Sequence, residues 1–333
     1  MKFALSSEQK DFAASLRDLL NGAKTPSIAR AWAEGDTADG RKLLTQLADT
    51  GLTALAVDEQ FGGIGAHPVD LVVAFTEIGR AAVPGPLVET AAAIPALLQS
   101  LDNDEAAQRF LPALAEGTSL GTVTLGDWLP RALDAAQADV VLIAEGDRIA
   151  VGEVGAQFDS VDATRKLNAI AVGEVVAEGP AVARATARAL DAGNLAVAAQ
   201  LLGAGRAVTD LSTEYVGGRV QFGKKIGSFQ AVKHHLANSM IGLEMALPLL
   251  YGAAIALAED SPTASRDVSA AKVAGADAAE RAARAALQVH GAIGYTAEYD
   301  LSLWLTKIRA LRSAWGTTAQ HRARVAESLR SAR

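Results

Sequence analysis

The stretch that decides the fold joins two long, alanine-rich segments and reads Arg219-Val220-Gln221-Phe222-Gly223-Lys224-Lys225-Ile226-Gly227-Ser228-Phe229-Gln230. It places basic and amide side chains beside aromatic residues and glycines. Arginine holds phosphate in a planar fork of donors, and glycine lets the backbone approach a ligand closely. These residue types indicate a ligand-contacting loop between two helices. A solvated basic loop explains the same residues equally well, so the evidence has to come from the rest of the chain.

Composition narrows the classes of function. The chain has 333 residues, 50% of them hydrophobic and 21% charged, which is typical of a globular protein with two or three domains. A net charge of -7 argues against a nucleic-acid partner. The absence of cysteine excludes disulfides, thiolate metal sites and cysteine nucleophiles. His234 and His235 are adjacent and point to different helix faces, so we predict no metal site.

Two further features bear on location. Residues 1–8 are polar and lack the apolar core of a secretory signal. The longest alanine-rich runs are interrupted by Arg, Asp or Gln, so we expect no membrane span. The sequence therefore predicts a soluble, cytoplasmic protein.

The hydrophobic pattern divides the chain into three parts and predicts a mostly α fold. Helical periodicity occupies residues 1–116, which we interpret as an N-terminal helical domain with Ser6 or Ser7 capping its first helix. Residues 117–178 contain short β-branched runs and a hairpin turn at 145–147, which indicate a shortened β middle domain. Residues 179–333 predict a C-terminal four-helix-bundle domain. The individual helices are predicted at 41–50, 68–80, 88–100, 104–116, 183–215, 229–258, 265–290, 298–311 and 317–331, and the strands at 118–125, 139–144, 148–154 and 167–176.

A second motif gives the first its context. It reads Gln288-Val289-His290-Gly291-Ala292-Ile293-Gly294-Tyr295-Thr296-Ala297-Glu298-Tyr299. The order helices, β segment, helical bundle, together with both motifs, resembles the acyl-CoA dehydrogenase family of flavoproteins. Weaker agreement comes from residues 58–65 and from Glu77-Ile78-Gly79-Arg80. The resemblance spans nearly the whole chain.

The resemblance implies a cofactor site that two subunits share. In the family, these motifs reach across a dimer interface to the ADP part of the partner subunit's FAD. Those roles fall here on Arg219, Phe222, Gln230, Gln288 and Gly291. An arginine fork on pyrophosphate oxygens and glutamine hydrogen bonds to the pyrophosphate or ribose fit that role. One departure is the alanine at position 292, where the family usually has a second glycine.

Other departures concern the chemistry. The family's middle domain usually exceeds a hundred residues and carries a Thr-Glu-Pro-x-x-Gly-Ser-Asp segment around the flavin ring and thioester, and this chain has neither. The family's catalytic base is a glutamate just before a Gly-Thr-x-Gln-like run. Here that region, residues 314–320, has Trp315 and Gly316 where the carboxylate would stand. Neither residue takes up a proton.

An alternative base is conceivable. Some family members carry it eleven positions before the glutamine of the second motif, which corresponds to Asp277 here. A carboxylate there could abstract the α proton of a thioester. Asp is one methylene shorter than Glu, and a misplacement of about 1 Å costs on the order of a hundredfold in rate. The competing interpretation is that Asp277 and Glu280 pair with Arg281 and Arg284 on a solvated helix face.

Three hypotheses follow. The first is the shorter subunit of a heteromeric, FAD-dependent acyl-CoA dehydrogenase, resembling the α2β2 assemblies of actinobacterial steroid side-chain breakdown. A longer partner chain would share the FAD and supply the base, and electrons would pass to an electron-transferring flavoprotein. The second is a homomeric acyl-CoA dehydrogenase that uses Asp277. The third is a non-enzymatic scaffold without FAD, against which the presence of four motif residues counts: Arg219, Phe222, Gln230 and Gln288.

Overall fold

The computed structural model describes residues 4–331 and begins with a layer of helices. These are α1 (Ser7–Gly22), α2 (Thr25–Ala33), α3 (Ala38–Asp49), α4 (Pro68–Arg80), α5 (Ile94–Leu98) and α6 (Glu105–Ala115). The predicted cap is confirmed, since the Gln9 amide N–H donates to Ser6 Oγ and the Gln9 side chain accepts from the Ser6 N–H. The helix predicted at 88–100 is wrong in detail, because a π-helical turn, Glu89–Ala93, precedes α5.

The middle of the chain forms one five-stranded sheet. Its strands are β1 (Gly121–Leu125), β2 (Ala132–Leu133), β3 (Val140–Glu145), β4 (Arg148–Phe158) and β5 (Leu167–Glu178), in the order β1-β3-β4-β5-β2. β1 and β3 are parallel and the other neighbours antiparallel, with β3 and β4 forming the predicted hairpin. The end strands β1 and β2 also approach each other, so the sheet curls round towards a small barrel.

The last part of the chain is a helical bundle. It contains α7 (Ala181–Gly218), a two-stranded hairpin of β6 (Val220–Gln221) and β7 (Lys224–Lys225), α8 (Gln230–Ala258), α9 (Ala264–His290), α10 (Leu301–Ser313) and α11 (Thr318–Ser331). The predicted helices of this region are confirmed within a few residues at each end. Helix α7 packs against α4, α8, α9 and α10. It is therefore the central helix of the fold.

Helices α4 and α7 cross with their backbones in contact. A Cβ atom on Gly203 of α7 would lie 1.9 Å from the Thr76 carbonyl oxygen, and one on Gly79 of α4 would lie 2.1 Å from the Gln200 carbonyl oxygen. Only glycine fits at both positions, because any larger residue would force the helices apart. This crossing attaches the N-terminal helices to the bundle.

A buried ion pair attaches the middle sheet to the bundle. The Lys307 ammonium of α10 lies 3.2 Å from the Asp162 carboxylate, in the segment between β4 and β5, and also donates to Thr164 Oγ1 at 3.2 Å. Burial alone would raise the pKa of Asp162, but the Lys307 charge and the Thr164 hydrogen bonds hold it below its usual value. The sheet thus has a fixed position relative to α10.

One helix departs from the expectation that no segment could span a membrane. Among residues 4–331, α8 is long and apolar enough by length and composition, with a mean hydropathy of 1.8 over its most apolar 18-residue window. Of that window, 39% is buried inside the protein. This is weak evidence for a span, since core helices of folded bundles meet the same criterion.

The helix crossing yields a stability prediction. We expect Gly203→Ala to lower the free energy of unfolding by about 2 kcal/mol, because the new methyl group meets a backbone carbonyl that cannot rotate away. The matched control is Gly252→Ala on α8, where an added Cβ meets no atom within 4 Å. The control should be neutral or stabilising by up to about 1 kcal/mol. Urea unfolding measures both, and equal stability of the two variants would contradict the close crossing.

Candidate functional site

The two sequence motifs meet at one end of the bundle. The Tyr215 ring, near the end of α7, stacks on the His290 ring at the end of α9, with centroids 4.3 Å apart. The Arg219 N–H donates to the Tyr215 carbonyl oxygen at 2.9 Å. Because Gln288 and Gly291 flank His290 in the chain, this stacking brings the start of the first motif beside the second. Residues about seventy positions apart in sequence thus form one surface.

All five residues predicted to bind the cofactor are exposed on the surface: Arg219, Phe222, Gln230, Gln288 and Gly291. Phe222 is 91% exposed, an unusual state for a phenylalanine, and its edge faces the Phe229 ring at 6.2 Å. The Lys224 ammonium lies over the same Phe229 ring, 4.4 Å from its centroid. The surface is therefore both aromatic and cationic.

The hairpin between β6 and β7 determines how Phe222 is presented. Phe222 and Gly223 occupy its turn with φ of 52° and 76°. Positive φ at both central residues is the geometry of the tight hairpin turn whose twist matches the strands. Sequence reasoning predicted only a loop here, because each strand has two residues and gives no alternation. The turn projects the Phe222 ring away from the bundle.

Gly291 ends α9 with a backbone conformation that suits glycine alone. Its φ of 67° and ψ of −142° lie outside the regions that residues with a Cβ ordinarily adopt. An added Cβ would meet no atom within 4 Å, so the requirement comes from the backbone and not from crowding. The neighbouring Ala292, which departs from the family's second glycine, is exposed.

The charges on this surface favour an anion. Among residues 4–331, no carboxylate lies within 4 Å of the Arg219 guanidinium, and the same holds for the exposed ammonium groups of Lys224 and Lys225. The three cations are available to an incoming ligand. A diphosphate group matches that chemistry, since charge-assisted hydrogen bonds from arginine are among the strong ones.

His290 packs within this end of the bundle instead of facing solvent. Its Nδ1 lies 2.8 Å from the Ala286 carbonyl oxygen, and its ring lies beside those of Tyr215 and Tyr299, with centroids 4.3 Å and 5.4 Å away. Burial lowers the pKa of His290, so the ring is neutral near pH 7. The histidine thus orients the end of α9.

Trp315 lies in the turn where the resemblance to the family predicts a catalytic base. Trp315 is buried, and its φ is 61°. Its ring packs against Gly193 of α7, where an added Cβ would lie 2.3 Å from the nearest ring atom. The Lys272 ammonium donates to the Ala314 carbonyl oxygen at 2.8 Å. His321 Nε2 lies 3.0 Å from the Trp315 carbonyl oxygen. Burial lowers the pKa of Lys272 to about 7. The turn is packed into the core on both sides.

Sequence reasoning missed a buried carboxyl group beside this turn. Glu89, in the π-helical turn, is almost fully buried, and neither carboxyl oxygen makes a hydrogen bond to residues 4–331. Burial raises its pKa to about 7, despite the nearby Arg165 charge. Trp315 and Asp134 also lie close to it. A lone glutamate in an apolar stretch gave no motif, and only the unusual π-helical backbone distinguishes it.

Asp277 lies between two arginines of neighbouring helices. Its carboxylate is 2.6 Å from the Arg322 guanidinium and 3.6 Å from that of Arg312. Glu280 pairs with Arg284 at 2.9 Å, as the solvated-face interpretation predicted. That interpretation is wrong for Asp277, whose partners come from α10 and α11 and not from its own helix. Its role as a base stays a prediction.

Glu89 yields a prediction on pH. Since its folded-state pKa, about 7, lies above the unfolded value of 4.5, its contribution to stability is present below about pH 4.5 and is lost as pH rises to about 7. Glu89→Gln removes that dependence. We subtract the free energy of unfolding of wild type from that of the variant, both measured by urea unfolding. We expect this difference to be about 2 kcal/mol more positive at pH 8 than at pH 5.

The control for this measurement is Glu174→Gln. Glu174 is exposed, and its hydrogen bond from Arg109 lowers its pKa. Between pH 5 and pH 8, the free energy of unfolding of Glu174→Gln relative to wild type should therefore change little, and in the opposite direction. A Glu89→Gln difference that is the same at both pH values would contradict a neutral buried carboxyl group.

Comparisons with known proteins agree with this architecture. Residues 6–118 match the acyl-CoA dehydrogenase N-terminal domain and residues 182–330 the acyl-CoA dehydrogenase C-terminal domain. The chain is 32% identical to acyl-CoA dehydrogenase IpdE2 of Mycobacterium tuberculosis over 288 residues, 85% of each chain. Among solved structures, it is similar to the ChsE4-ChsE5 complex from Mycobacterium tuberculosis (TM-score 0.83, 22% identity, 99% of each chain). It is also similar to the Tcur3481-Tcur3483 steroid ACAD (TM-score 0.83, 23% identity, 98% of each chain). The chain belongs to the acyl-CoA dehydrogenase family.

Proposed function

We propose that the chain is one subunit of a heteromeric, FAD-dependent acyl-CoA dehydrogenase that introduces an α,β double bond into an acyl-CoA thioester. It contributes the ADP side of its longer partner's FAD site and lacks a catalytic base of its own. One observation carries this proposal. The FAD motifs converge on an exposed, cationic and aromatic surface at the end of the bundle, whereas the position of the base is filled by buried Trp315.

The exposed surface offers suitable groups for the ADP part of FAD. Arg219 can donate two parallel hydrogen bonds to pyrophosphate oxygens, and Gln230 and Gln288 can each donate to and accept from a pyrophosphate or ribose. The exposed ring of Phe222 supplies an apolar wall. The backbone at Gly291 leaves open space for close approach. FAD, when bound, supplies the acceptor for the substrate's β hydride.

The interior of the chain accounts for the need of a partner. Removing the α proton of a thioester requires a base at the reacting carbon. At the family's base position, Trp315 has no proton-accepting group and fills the slot left by Gly193. Glu89 is close by but sealed from solvent by its surroundings. In this proposal the partner chain supplies both the carboxylate and the complete middle domain.

Two structural relatives support a heteromer. The ChsE4-ChsE5 complex and the Tcur3481-Tcur3483 steroid ACAD each combine two differently named chains. We extend this to a steroid side-chain CoA substrate, an α2β2 heterotetramer in the cytoplasm and an electron-transferring flavoprotein as electron acceptor. Similarity of the backbone to both complexes supports the assembly, and similarity to the steroid ACAD supports the substrate.

The alternative of a homomeric enzyme depends on Asp277. Its carboxylate already pairs with the guanidinium groups of Arg322 and Arg312. A base there would have to leave both arginines to reach a substrate. If the lone chain binds FAD and oxidises acyl-CoA, and Asp277→Asn abolishes turnover without loss of flavin, this alternative replaces our proposal.

The assembly is tested by flavin content. The chain is purified alone and co-expressed with a longer family chain from its own gene neighbourhood, and absorbance and native mass are measured. We expect bound FAD only on co-expression, with one FAD per unlike pair. Stoichiometric FAD in the lone chain would overturn the proposal. Colourless protein in both preparations would favour a scaffold without FAD.

Arg219→Ala tests the cofactor surface. A charge-assisted contact contributes about 1.5–3 kcal/mol, so its loss should weaken FAD binding in the pair by about ten- to a hundredfold. Equilibrium binding to the deflavinated pair measures the affinity. The matched control is Arg109→Ala, which removes an exposed arginine that pairs with Glu174 on the middle sheet. Equal affinities of the two variants would refute the assignment of Arg219.

A further inference from the structure

A cavity of about 290 Å³ lies where α1 and the start of α2 meet the end of α4 and the start of α10. We call it the α1–α4 cavity. Among residues 4–331, the charged residues that line it are three cations, Arg17, Lys24 and Arg80, and one carboxylate, Glu77. None of the five residues assigned to the FAD surface lines it. A concave site lined mainly by positive charge favours a small anion.

Glu77 holds the two arginines at the wall of the cavity. Arg17 Nε donates to Glu77 Oε2 at 3.0 Å and its Nη2 donates to Oε1 at 2.5 Å. Arg80 Nε lies 3.8 Å from Glu77 Oε2. The glutamate itself is buried. Because these contacts order both guanidinium groups before a ligand arrives, binding costs less side-chain entropy.

The three cations have hydrogen-bond donors to spare. A guanidinium carries five N–H groups. Within residues 4–331, Arg80 donates through Nη2 to Asp210 at 2.7 Å, and the Nη1 groups of Arg17 and Arg80 make no hydrogen bond. The exposed Lys24 ammonium has neither a hydrogen bond nor an ion pair with this part of the chain. Asp18 and Asp210 add negative charge near Arg17 from outside the lining, but neither pairs with Lys24.

The corner between α1 and α2 brings the start of α2 to the cavity. Lys24 precedes α2 with a left-handed φ of 52°, and its side chain does not cap the helix. Thr25 and Pro26, the first two residues of α2, line the cavity. The first amide N–H groups of a helix lack intrahelical acceptors and carry a partial positive charge. Helix α2 therefore adds to the positive potential of the three side chains.

One wall of the cavity is apolar. It is formed by Leu20, Ala81 and Trp304. The Trp304 indole N–H already donates to the Arg80 carbonyl oxygen at 2.9 Å, so its ring offers only apolar contact. The volume of the cavity is near the low end for small-molecule sites, which is about 300 Å³. The matching ligand is a small anion that carries one compact organic group.

We propose that the α1–α4 cavity binds a small phosphate monoester. Its terminal oxygens accept hydrogen bonds from Arg17, Lys24 and Arg80, and its organic group lies against Trp304. The three terminal oxygens of a phosphate monoester match donors from three side chains, whereas a carboxylate has only two oxygens. This site goes beyond the proposed function and does not depend on it.

Binding of phenyl phosphate to the complete chain, measured by isothermal titration calorimetry, provides the test. We expect Lys24→Ala to weaken binding about tenfold, because one charge-assisted hydrogen bond is lost. Lys24→Gly removes the same ammonium and suits the left-handed corner, so the same loss should appear without backbone strain. The matched control is Lys10→Ala, which removes an exposed lysine of α1 outside the cavity and should leave the affinity unchanged.

The possible outcomes separate the ligand classes and the two phosphate surfaces. Absence of binding to wild type at millimolar phenyl phosphate, or wild-type affinity of both Lys24 variants, would overturn the site. Benzoate that binds as tightly would overturn the choice of a phosphate, and inorganic phosphate that binds as tightly would overturn the organic group. Loss of binding in Arg219→Ala with Lys24→Ala unaffected would place the phosphate on the FAD surface instead. Flavin content of the co-expressed pair should not change in Lys24→Ala, so this proposal and the proposed function can fail separately.

Discussion

The close packing of helix α7 is the constraint on which the rest of the structure depends. Gly203 lets α4 cross with backbone against backbone, and Gly193, ten residues earlier on α7, leaves the slot that the Trp315 ring fills. Both contacts are possible only because these positions of α7 lack a Cβ. The first joins the N-terminal helices to the bundle. The second packs the C-terminal turn against the same helix. Helix α7 therefore holds both the N-terminal helices and the C-terminal turn in place.

Ionisable groups are buried near Trp315 but exposed to solvent around Arg219. Near Trp315 the protein buries ionisable groups, and burial shifts each pKa towards the uncharged form, raising that of Glu89 to about 7 and lowering that of Lys272 to about 7. Around Arg219 the charged groups stay in solvent and remain available. A buried carboxylate without hydrogen bonds is costly, which is why burial favours the uncharged form of Glu89.

Long, periodic segments were predictable from the sequence, and short or context-dependent ones were not. The bounds of helices α7 and α9 were predicted to within a few residues, because their alanine-rich periodicity extends over more than twenty positions. Helix α2 was missed, although Thr25-Pro26 at its start is a recognisable signal, because its nine residues begin at a left-handed Lys24 without a side-chain cap. Strands β2, β6 and β7 have two residues each, too few for alternation. For the site, the motifs named residues that the fold then collected on one surface, whereas Glu89 and the arginine partners of Asp277 depend on tertiary contacts that no local pattern encodes.

The exposed position of Arg219 and Phe222 constrains the role of the first motif. Arg219 and Phe222 are exposed, and they lie at a hairpin that points away from the bundle, so they contribute nothing to the hydrophobic core. An exposed aromatic ring at positive φ lowers stability twice over, through its solvation and through its backbone. Its presence is accounted for if a ligand or a partner covers it.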